Sequence, residues 1–448
     1  MDSDELHKWL IQSFGQEGGE MAWKQFSSLP DSIKDELLSG SQPLPDPGEM
    51  RKVFSAFKAA GESGGKGEGG PVNRPLAGEM ALRTADEKHF TNSISALQFD
   101  RLSQALSSAN LWLDSATSTL PLPDKTRILT PRQWTEGAVG AWCSLVSPLA
   151  KKTTDTISSF FREQGGLEGL AGVFAGPIPI PLPAGVTPDP QALLENAVKT
   201  NFAVQLGEAI GQMSPLTLSS FDYGIRTAGG KAGALIPENL DTFAKDAQLP
   251  EEEVYSFYAL REMAYARLYN SAPWIEGQIA ALVYAYSRGF ELDTSETEED
   301  LREADFMNPD GMAHLISFSS LKAKDSEAQR KAREDLQRLL TLAESWVDCV
   351  TWRAGSAFIS KISQLREMMR RRRAEGEMTG KPLARLMGLG LEPKDIRETS
   401  SKWDRLSGNV EERDRLWSHP RLLSKVDGKG EEEGGNDWDG DLSSFLED

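Results

Sequence analysis

The sequence is poor in cysteine, in histidine and in uninterrupted apolar segments. It has two cysteines, Cys143 and Cys349, and four histidines in 448 residues. Two cysteines cannot build a disulfide framework, which favours a reducing, intracellular compartment. The sequence contains no run of about 20 apolar residues, the length needed to cross a bilayer. Its first residues lack the basic-then-apolar order of a secretory signal. We therefore expect a soluble, cytoplasmic protein.

Positive charge is also scarce. The chain has 49 Lys and Arg against 68 Asp and Glu, which gives a net charge of −19. Non-specific binding to nucleic acid requires a cationic surface that displaces counterions, and docking onto anionic membranes has the same requirement. The composition therefore predicts neither nucleic acid nor a membrane as partner, and leaves a protein or peptide of unknown identity.

No alternating strand pattern of any length occurs, so the chain is predicted to be mainly α-helical. Three segments follow from composition. Residues 1–75 form a helical appendage that ends in a flexible linker, because residues 61–70 are mostly glycine. Residues 90–425 carry the long helical periodicities and form a multi-helix domain. Residues 426–448 form an acidic, disordered tail, in which Trp438 and Phe445 could belong to a short docking helix.

One glycine-rich stretch, Gly224 to Gly233, invites comparison with a phosphate-binding loop. That motif requires a glycine where this chain has Ile225, and a hydroxyl residue after Lys231, where it has Ala232. The spacing therefore favours a plain glycine loop over a nucleotide site.

The most informative segment has the frame of a zinc-binding helix but lacks its histidines. In H-E-x-x-H, two imidazoles one helical turn apart hold the metal and the glutamate activates water. Here Arg261 and Tyr265 occupy the two histidine positions, and only Glu262 remains. Pro250, followed by three glutamates, predicts the start of the helix, and Pro273 predicts its end. The motif therefore lies in the middle of a helix.

A second helix carries Glu344 and Asp348, which lie on one face because they are four residues apart. Alone, this spacing indicates ordinary surface charge. Beside the Arg261–Tyr265 segment, it also fits a metal site in which one carboxylate binds the ion and the other orients a ligand.

Eight further stretches of the sequence match one known family in the right order: residues 109–114, 134–136, 235–239, 258–264, 272–274, 344–348, 370–376 and 416–420. On these stretches the chain resembles the zincin-like metallopeptidase type 2 family, bacterial proteins described as hydrolases or zinc-dependent metalloproteases. The resemblance implies a zincin-like helical domain over residues 90–425. It also implies that Glu262 is the general base, Glu344 the third metal ligand and Asp348 the carboxylate that orients a ligand.

In this family the first motif position is His in one branch and often Arg in another, so Arg261 fits the second branch. The second position is usually His, and Tyr265 departs from it. Many relatives have His directly after the aspartate, where this chain has Cys349.

These replacements leave too few zinc ligands. Arg261 has no lone pair to donate, and Tyr265 could bind only as a phenolate, from a pKa of about 10. Glu344 remains, with Glu262 as a second carboxylate and Cys349 as a distant candidate, whereas a catalytic zinc needs about three protein ligands. The histidines lie in other segments, at His7, His89, His314 and His419.

We therefore expect no cofactor, or zinc only if the site is functional. Arg261 is instead expected to pair with Glu262, Glu344 or Asp348 in an ion network where the metal would lie.

Three functions remain open. The leading hypothesis is a family member with a degenerate metal site and a non-catalytic binding or regulatory role. The second is an active metal-dependent peptidase or hydrolase in which Glu262 is the general base. The third is a structural interaction module that uses the acidic tail and a basic patch, Arg370–Arg373. That patch also fits a solvated helix end, where cations suit the helix dipole.

Overall fold

A computed structural model describes residues 3–27, 70–87, 93–163, 190–292, 323–324, 326–375 and 381–428. The chain divides into two compact units. One comprises Met1–Asn73, Ala150–Ala203 and Glu291–Lys324, and the other Arg74–Leu149, Val204–Phe290 and Asp325–Asp448. Most of the predicted linker, all of residues 430–448 and His89 and His314 lie outside the described residues.

The described residues are mainly α-helical, which confirms the predicted fold class. The helices are α1 Ser3–Ser27, α2 Arg74–Asp86, α3 Ala96–Leu113, α4 Pro131–Glu163, α5 Pro190–Met213, α6 Pro237–Ala247, α7 Glu251–Ser271, α8 Trp274–Arg288, α9 Glu327–Gly355, α10 Ile362–Glu375, α11 Lys381–Met387, α12 Ile396–Leu406, α13 Val410–Arg415 and α14 Ser424–Asp427. Short 3₁₀ turns lie at Gly230–Ala232, Leu416–Ser418 and Pro420–Leu423. Within the described ranges, no helix is both long and apolar enough to cross a membrane.

Strands are short and paired in twos. β1 (Arg127–Ile128) runs parallel to β2 (Ala234–Leu235), and β3 (Glu291–Leu292) runs antiparallel to β4 (Ala323–Lys324). The β1–β2 pair fixes the end of the glycine loop that precedes α6, because β2 begins directly after Gly233.

The centre of the larger unit is formed by α7 and α9, which pack against each other. α7 begins after Pro250 with three glutamates in its first turn and ends before Pro273, as the sequence predicts. α3, α6 and α10 also pack on α7, and α8 and α12 pack on α9. Both helices are therefore buried around most of their circumference, and their charged residues need partners inside the protein.

Two glycines let α5 lie close to α2. A Cβ atom on Gly207 would stand 2.5 Å from the Ala77 carbonyl oxygen, and one on Gly211 would stand 2.5 Å from Thr84 Cβ. Both distances are shorter than any normal contact, so only glycine permits this approach.

Replacing Gly207 with alanine should destabilise the protein, because the new methyl group meets a backbone carbonyl that cannot turn aside. Overpacking of this kind lowers the free energy of unfolding by ~1–3 kcal/mol, measurable by urea unfolding. Gly140→Ala is the matched control, since Gly140 is exposed on α4 and its new methyl group would meet no atom within 4 Å. Equal stability of the two variants would contradict the close packing of α5 on α2.

Candidate functional site

The side chain of Glu344 lies at the centre of a buried ion network. Arg261 Nη2 donates to Glu344 Oε1 at 2.5 Å, and the Tyr265 hydroxyl donates to Oε2 at 2.5 Å. Arg373 Nε, from α10, donates to Oε2 at 3.1 Å. Arg261 and Tyr265 share one face of α7 because they are four residues apart. Of the three carboxylates considered as partners for Arg261, the structure pairs it with Glu344.

All members of this network are out of solvent. Glu344 is 1 % exposed, Tyr265 2 % and Arg261 4 %. Burial acts to raise the pKa of Glu344, but Arg261, Arg373 and the Tyr265 hydroxyl outweigh it, so the pKa lies below its ordinary value. Burial, reinforced by the charge of Glu344, holds the pKa of Tyr265 well above its usual range. The network therefore contains a carboxylate, two guanidinium cations and a neutral phenol.

This donor set does not fit a zinc ion. A guanidinium has no lone pair to offer, and the phenol of Tyr265 is already a donor to Glu344. Both oxygens of Glu344 accept hydrogen bonds from cations or from the phenol. Across the described part of the chain, no group of three or more His, Cys, Asp or Glu side chains could hold a metal ion.

The remaining candidate ligands lie apart from Glu344. The Cys349 thiol is directed toward Ser407 and Asp404 of the α12 region, at 3.7 and 3.9 Å. His419 Nδ1 accepts from the Arg421 backbone N–H at a 3₁₀ turn. His7, in the smaller unit, stacks on Trp23. Each of these side chains has a local structural contact.

Glu262 follows Arg261 in sequence but contacts a different part of the structure. Its carboxylate accepts hydrogen bonds from the Ser220 hydroxyl, from the Ala234 backbone N–H at 2.7 Å and from the Phe221 backbone N–H at 3.3 Å. These groups lie at the two ends of the glycine loop. Gly233, at φ 73°, has no room for a Cβ atom, because that atom would collide with Glu262 Oε1. Glu262 therefore holds the glycine loop closed.

The environment of Glu262 disfavours the ionised form of its carboxyl group. Its side chain is 0 % exposed. Burial raises the pKa of Glu262 to about 7, although the hydrogen bonds from Ser220, Ser219 and the loop backbone oppose the rise. A carboxyl group in this state changes protonation near neutral pH.

Asp348, one turn after Glu344 on α9, belongs to a neighbouring cluster. It accepts hydrogen bonds from Arg366 Nη2 at 2.8 Å, from Arg370 Nη2 at 2.7 Å and from the Ser400 hydroxyl at 2.6 Å. Burial acts to raise its pKa, but these arginines outweigh it and the pKa is lowered. Among the described residues, the hydrogen bonds that Asp348 accepts come from arginines and from Ser400, not from a histidine that it could orient toward a metal.

Three of the four arginines in Arg370–Arg373 face inward, so the expectation that the run is exposed is wrong for them, although the run does lie at the end of α10. Arg370 pairs with Asp348, Arg373 with Glu344, and Arg372 with Asp222 at 3.0 Å. Arg371 is the exception, with 71 % of its side chain exposed. The reason is helical geometry: residues 366, 370 and 373 share the face of α10 that contacts the acidic face of α9.

Sequence reasoning missed Arg373, Asp222 and Ser220 as members of this region. The spacing of residues 366, 370 and 373 could have indicated Arg373, since steps of four and three residues place all three arginines on one helical face, as the four-residue step does for Glu344 and Asp348. Asp222 and Ser220 come from a loop, and no spacing rule places a loop residue against a distant helix.

Replacing Glu344 with glutamine should strongly destabilise the protein, because two buried guanidinium groups would lose their counter-charge. Breaking one side of a buried ion pair costs ~3–5 kcal/mol, measurable by urea unfolding. Glu251→Gln is the control: it breaks the exposed pair with Arg101 at 2.8 Å, which contributes less than about 1 kcal/mol. If the two variants unfold at the same urea concentration, the network around Glu344 is not a stabilising element.

Stability should fall as pH rises from about 4.5 to about 7, because over this range folded Glu262 retains a proton that the unfolded chain has lost. Between the unfolded pKa of about 4.5 and the folded pKa of about 7, this group removes roughly 3 kcal/mol from the free energy of unfolding. Glu262→Gln should abolish that part of the pH dependence in urea unfolding at pH 5 and pH 8. Glu252→Gln, an exposed residue of the same helix, should retain it. An unchanged slope in Glu262→Gln would exclude Glu262 as its source.

Comparison with known proteins supplies the context of this site. A family model described as zincin-like metallopeptidase matches residues 72–427. A solved structure from Chloroflexus aurantiacus, described as a proposed hydrolase with a novel fold, matches with a TM-score of 0.52 and 14% identity, covering 80% of this chain and 96% of that chain. At this identity the likeness shows the fold alone. A search of curated proteins finds no match. Because the family model spans most of the sequence, the chain belongs to the zincin-like metallopeptidase family.

Proposed function

We propose that this chain is a non-catalytic member of its family, with a binding or regulatory role. One observation carries the proposal: Glu344, at the position that corresponds to the family's third metal ligand, is bound by Arg261, Tyr265 and Arg373. In a working site the residues around this carboxylate would supply lone pairs to zinc. Here Arg261, Tyr265 and Arg373 instead donate hydrogen bonds to the carboxylate of Glu344.

Electrostatics also opposes a metal at this position. A zinc ion near Glu344 would stand beside the permanently charged guanidinium groups of Arg261 and Arg373. It would also take from them the carboxylate that neutralises them in a buried environment. Both effects disfavour the ion, and the two matched motif positions carry Arg261 and Tyr265 in place of imidazoles that could offset them.

A working hydrolase is the alternative, and one observation favours it. The pKa of Glu262, raised to about 7, is close to the value that suits a general base at neutral pH. Against this, the carboxylate is 0 % exposed. Its hydrogen bonds hold the glycine loop, so a water molecule or substrate would have to displace Ser220 or the loop backbone.

The partner proposed for this role is a protein or peptide. The net charge of −19 disfavours nucleic acid and anionic membranes. A cytoplasmic location is part of the same proposal, supported by the two cysteines, which are free and buried. A role based on Arg370–Arg373 as an exposed dock has less support, since three of these side chains form internal ion pairs.

Metal analysis of the purified protein by mass spectrometry tests the proposal. We expect wild type to contain no stoichiometric zinc and to cleave no peptide substrate. The double variant R261H/Y265H restores two imidazoles one turn apart and should gain about one zinc per chain. Adding Glu344→Ala to that variant should lower its zinc content again, and circular dichroism checks that each variant is folded.

The opposite pattern of results would contradict the proposal. Wild-type protein with one zinc per chain, lost on Glu344→Ala, together with peptidase activity that is lost on Glu262→Gln, would identify a working enzyme.

A further inference from the structure

Residues 229–233 of the glycine loop form a cover over Glu262. A Cβ atom on Gly233 would collide with Glu262 Oε1, so the Gly233 backbone lies directly against that oxygen atom. The carboxylate also accepts hydrogen bonds from Ser220, Phe221 and Ala234, and its side chain is 0 % exposed. Displacement of the cover would therefore give water access to Oε1.

The first half of the glycine loop is fixed by contacts with the core. The Ser220 carbonyl oxygen accepts hydrogen bonds from the Thr227 backbone N–H at 3.1 Å and from the Thr227 hydroxyl at 2.7 Å. Trp134 Nε1 donates to the same hydroxyl at 3.0 Å, and the Tyr269 hydroxyl donates to the Gly224 carbonyl oxygen. We therefore expect residues 224–228 to stay in place when the cover moves.

The cover itself has contacts that are easier to break. Its tip, Gly230 and Lys231, is exposed. Asn270 Nδ2 donates to the Lys231 carbonyl oxygen at 3.0 Å, and the Arg127 backbone N–H donates to the Gly233 carbonyl oxygen at 3.0 Å. Gly230 and Gly233 have φ angles of 71° and 73°. Glycine thus supplies the backbone freedom that a hinge at either end of the cover requires.

Ionisation of Glu262 is unfavourable while the cover is closed. Serine hydroxyls and backbone N–H groups donate to its carboxyl group, which forms no ion pair with any described residue. A buried carboxylate without a cation carries a large desolvation penalty. The charged groups of the surrounding segments are exposed or have other partners: Arg127 and Lys231 are exposed, Asp222 pairs with Arg372, Arg226 pairs with Glu276, and Arg261 and Tyr265 bind Glu344.

Opening of the cover would relieve this penalty. Once water hydrates the carboxylate, the pKa of Glu262 returns from about 7 in the closed state toward its ordinary value of 4.5. The closed state therefore binds the proton more tightly than the open state. By linkage, loss of the proton favours the open state, so the closed state is most stable at low pH and becomes less so as pH rises toward 7.

We propose that residues 229–233 are a pH-sensitive cover over Glu262, closed while this carboxyl group is protonated and opening when it ionises, so that water reaches the carboxylate. The inference concerns access to Glu262. It is independent of the proposed function, because it holds whether or not Glu262 acts on a substrate.

Native-state hydrogen exchange of the full-length protein tests the proposal. The probe is the Ala234 backbone N–H, which donates to Glu262 at 2.7 Å in the closed state. Exchange is followed by mass spectrometry from about pH 5.5 to about pH 8.5, and each rate is divided by the intrinsic exchange rate at that pH. The resulting opening constant should rise about tenfold per pH unit up to about pH 7 and then level off.

Urea separates opening of the cover from unfolding of the whole protein. At low urea concentration the exchange of Ala234 should not depend on urea, because little surface becomes exposed when the cover opens. The Val347 N–H, in the buried part of α9, should exchange through global unfolding and become faster as urea is added.

Three variants identify the group that controls the cover. Glu262→Gln cannot ionise and should remove the pH dependence of the opening constant, whereas Glu252→Gln, an exposed residue of the same helix, should retain it. Asn270→Ala loses the hydrogen bond to Lys231 and should raise the opening constant about fivefold at every pH, the effect of one lost hydrogen bond. The wild-type measurements stand even if a variant fails to fold.

Two results would overturn the proposal. If the exchange of Ala234 depends on urea as strongly as that of Val347, the cover opens only when the whole protein unfolds. If the opening constant does not change with pH, or changes equally in Glu262→Gln, ionisation of Glu262 does not control the cover.

Discussion

The structure around the motif depends on one buried carboxylate. Glu344 sits on α9, and its neutralising cations come from α7 and α10. An unpaired charge at this depth would be far more unfavourable than the pair is favourable. The three helices therefore have to meet with Arg261 and Arg373 at different oxygen atoms of the same carboxylate. Tyr265 completes the set without adding charge.

Helix α7 also contacts the glycine loop, through Glu262, the residue that follows Arg261. Glu262 is rotated by about 100° from Arg261 around the helix axis, and its carboxylate holds both ends of the glycine loop. The ion network and the loop are thus joined by consecutive residues of α7. Gly233 is required at the contact, because any Cβ atom there would collide with Glu262.

The geometry around the motif bears on the roles that the family resemblance predicts for its two acids. The resemblance predicts a general base at Glu262 and a metal ligand at Glu344. Yet the two carboxylates have different surroundings: Glu344 has a lowered pKa among arginines, and Glu262 has a pKa raised by burial against the glycine loop, although serine hydroxyls and backbone N–H groups donate to it. Two acids in one motif thus have opposite electrostatic environments.

The sequence by itself determined the fold class and the limits of helix α7. Helical periodicity, Pro250 and Pro273 fixed α7 and its limits, and the absence of alternating segments fixed the mainly α class. These properties depend on residues near each other in the chain. The sequence also placed Arg261 and Tyr265 on one face and narrowed the partner of Arg261 to three carboxylates.

Only the tertiary structure decided which partner Arg261 takes, and that Arg370, Arg372 and Arg373 point inward. A run of arginines looks the same in sequence whether it faces water or a row of carboxylates on another helix. The choice depends on which face of α10 packs against α9, and on loop residues such as Asp222. Packing of distant segments sets those contacts, since a local pattern can show which residues share a helical face but not which segment covers that face.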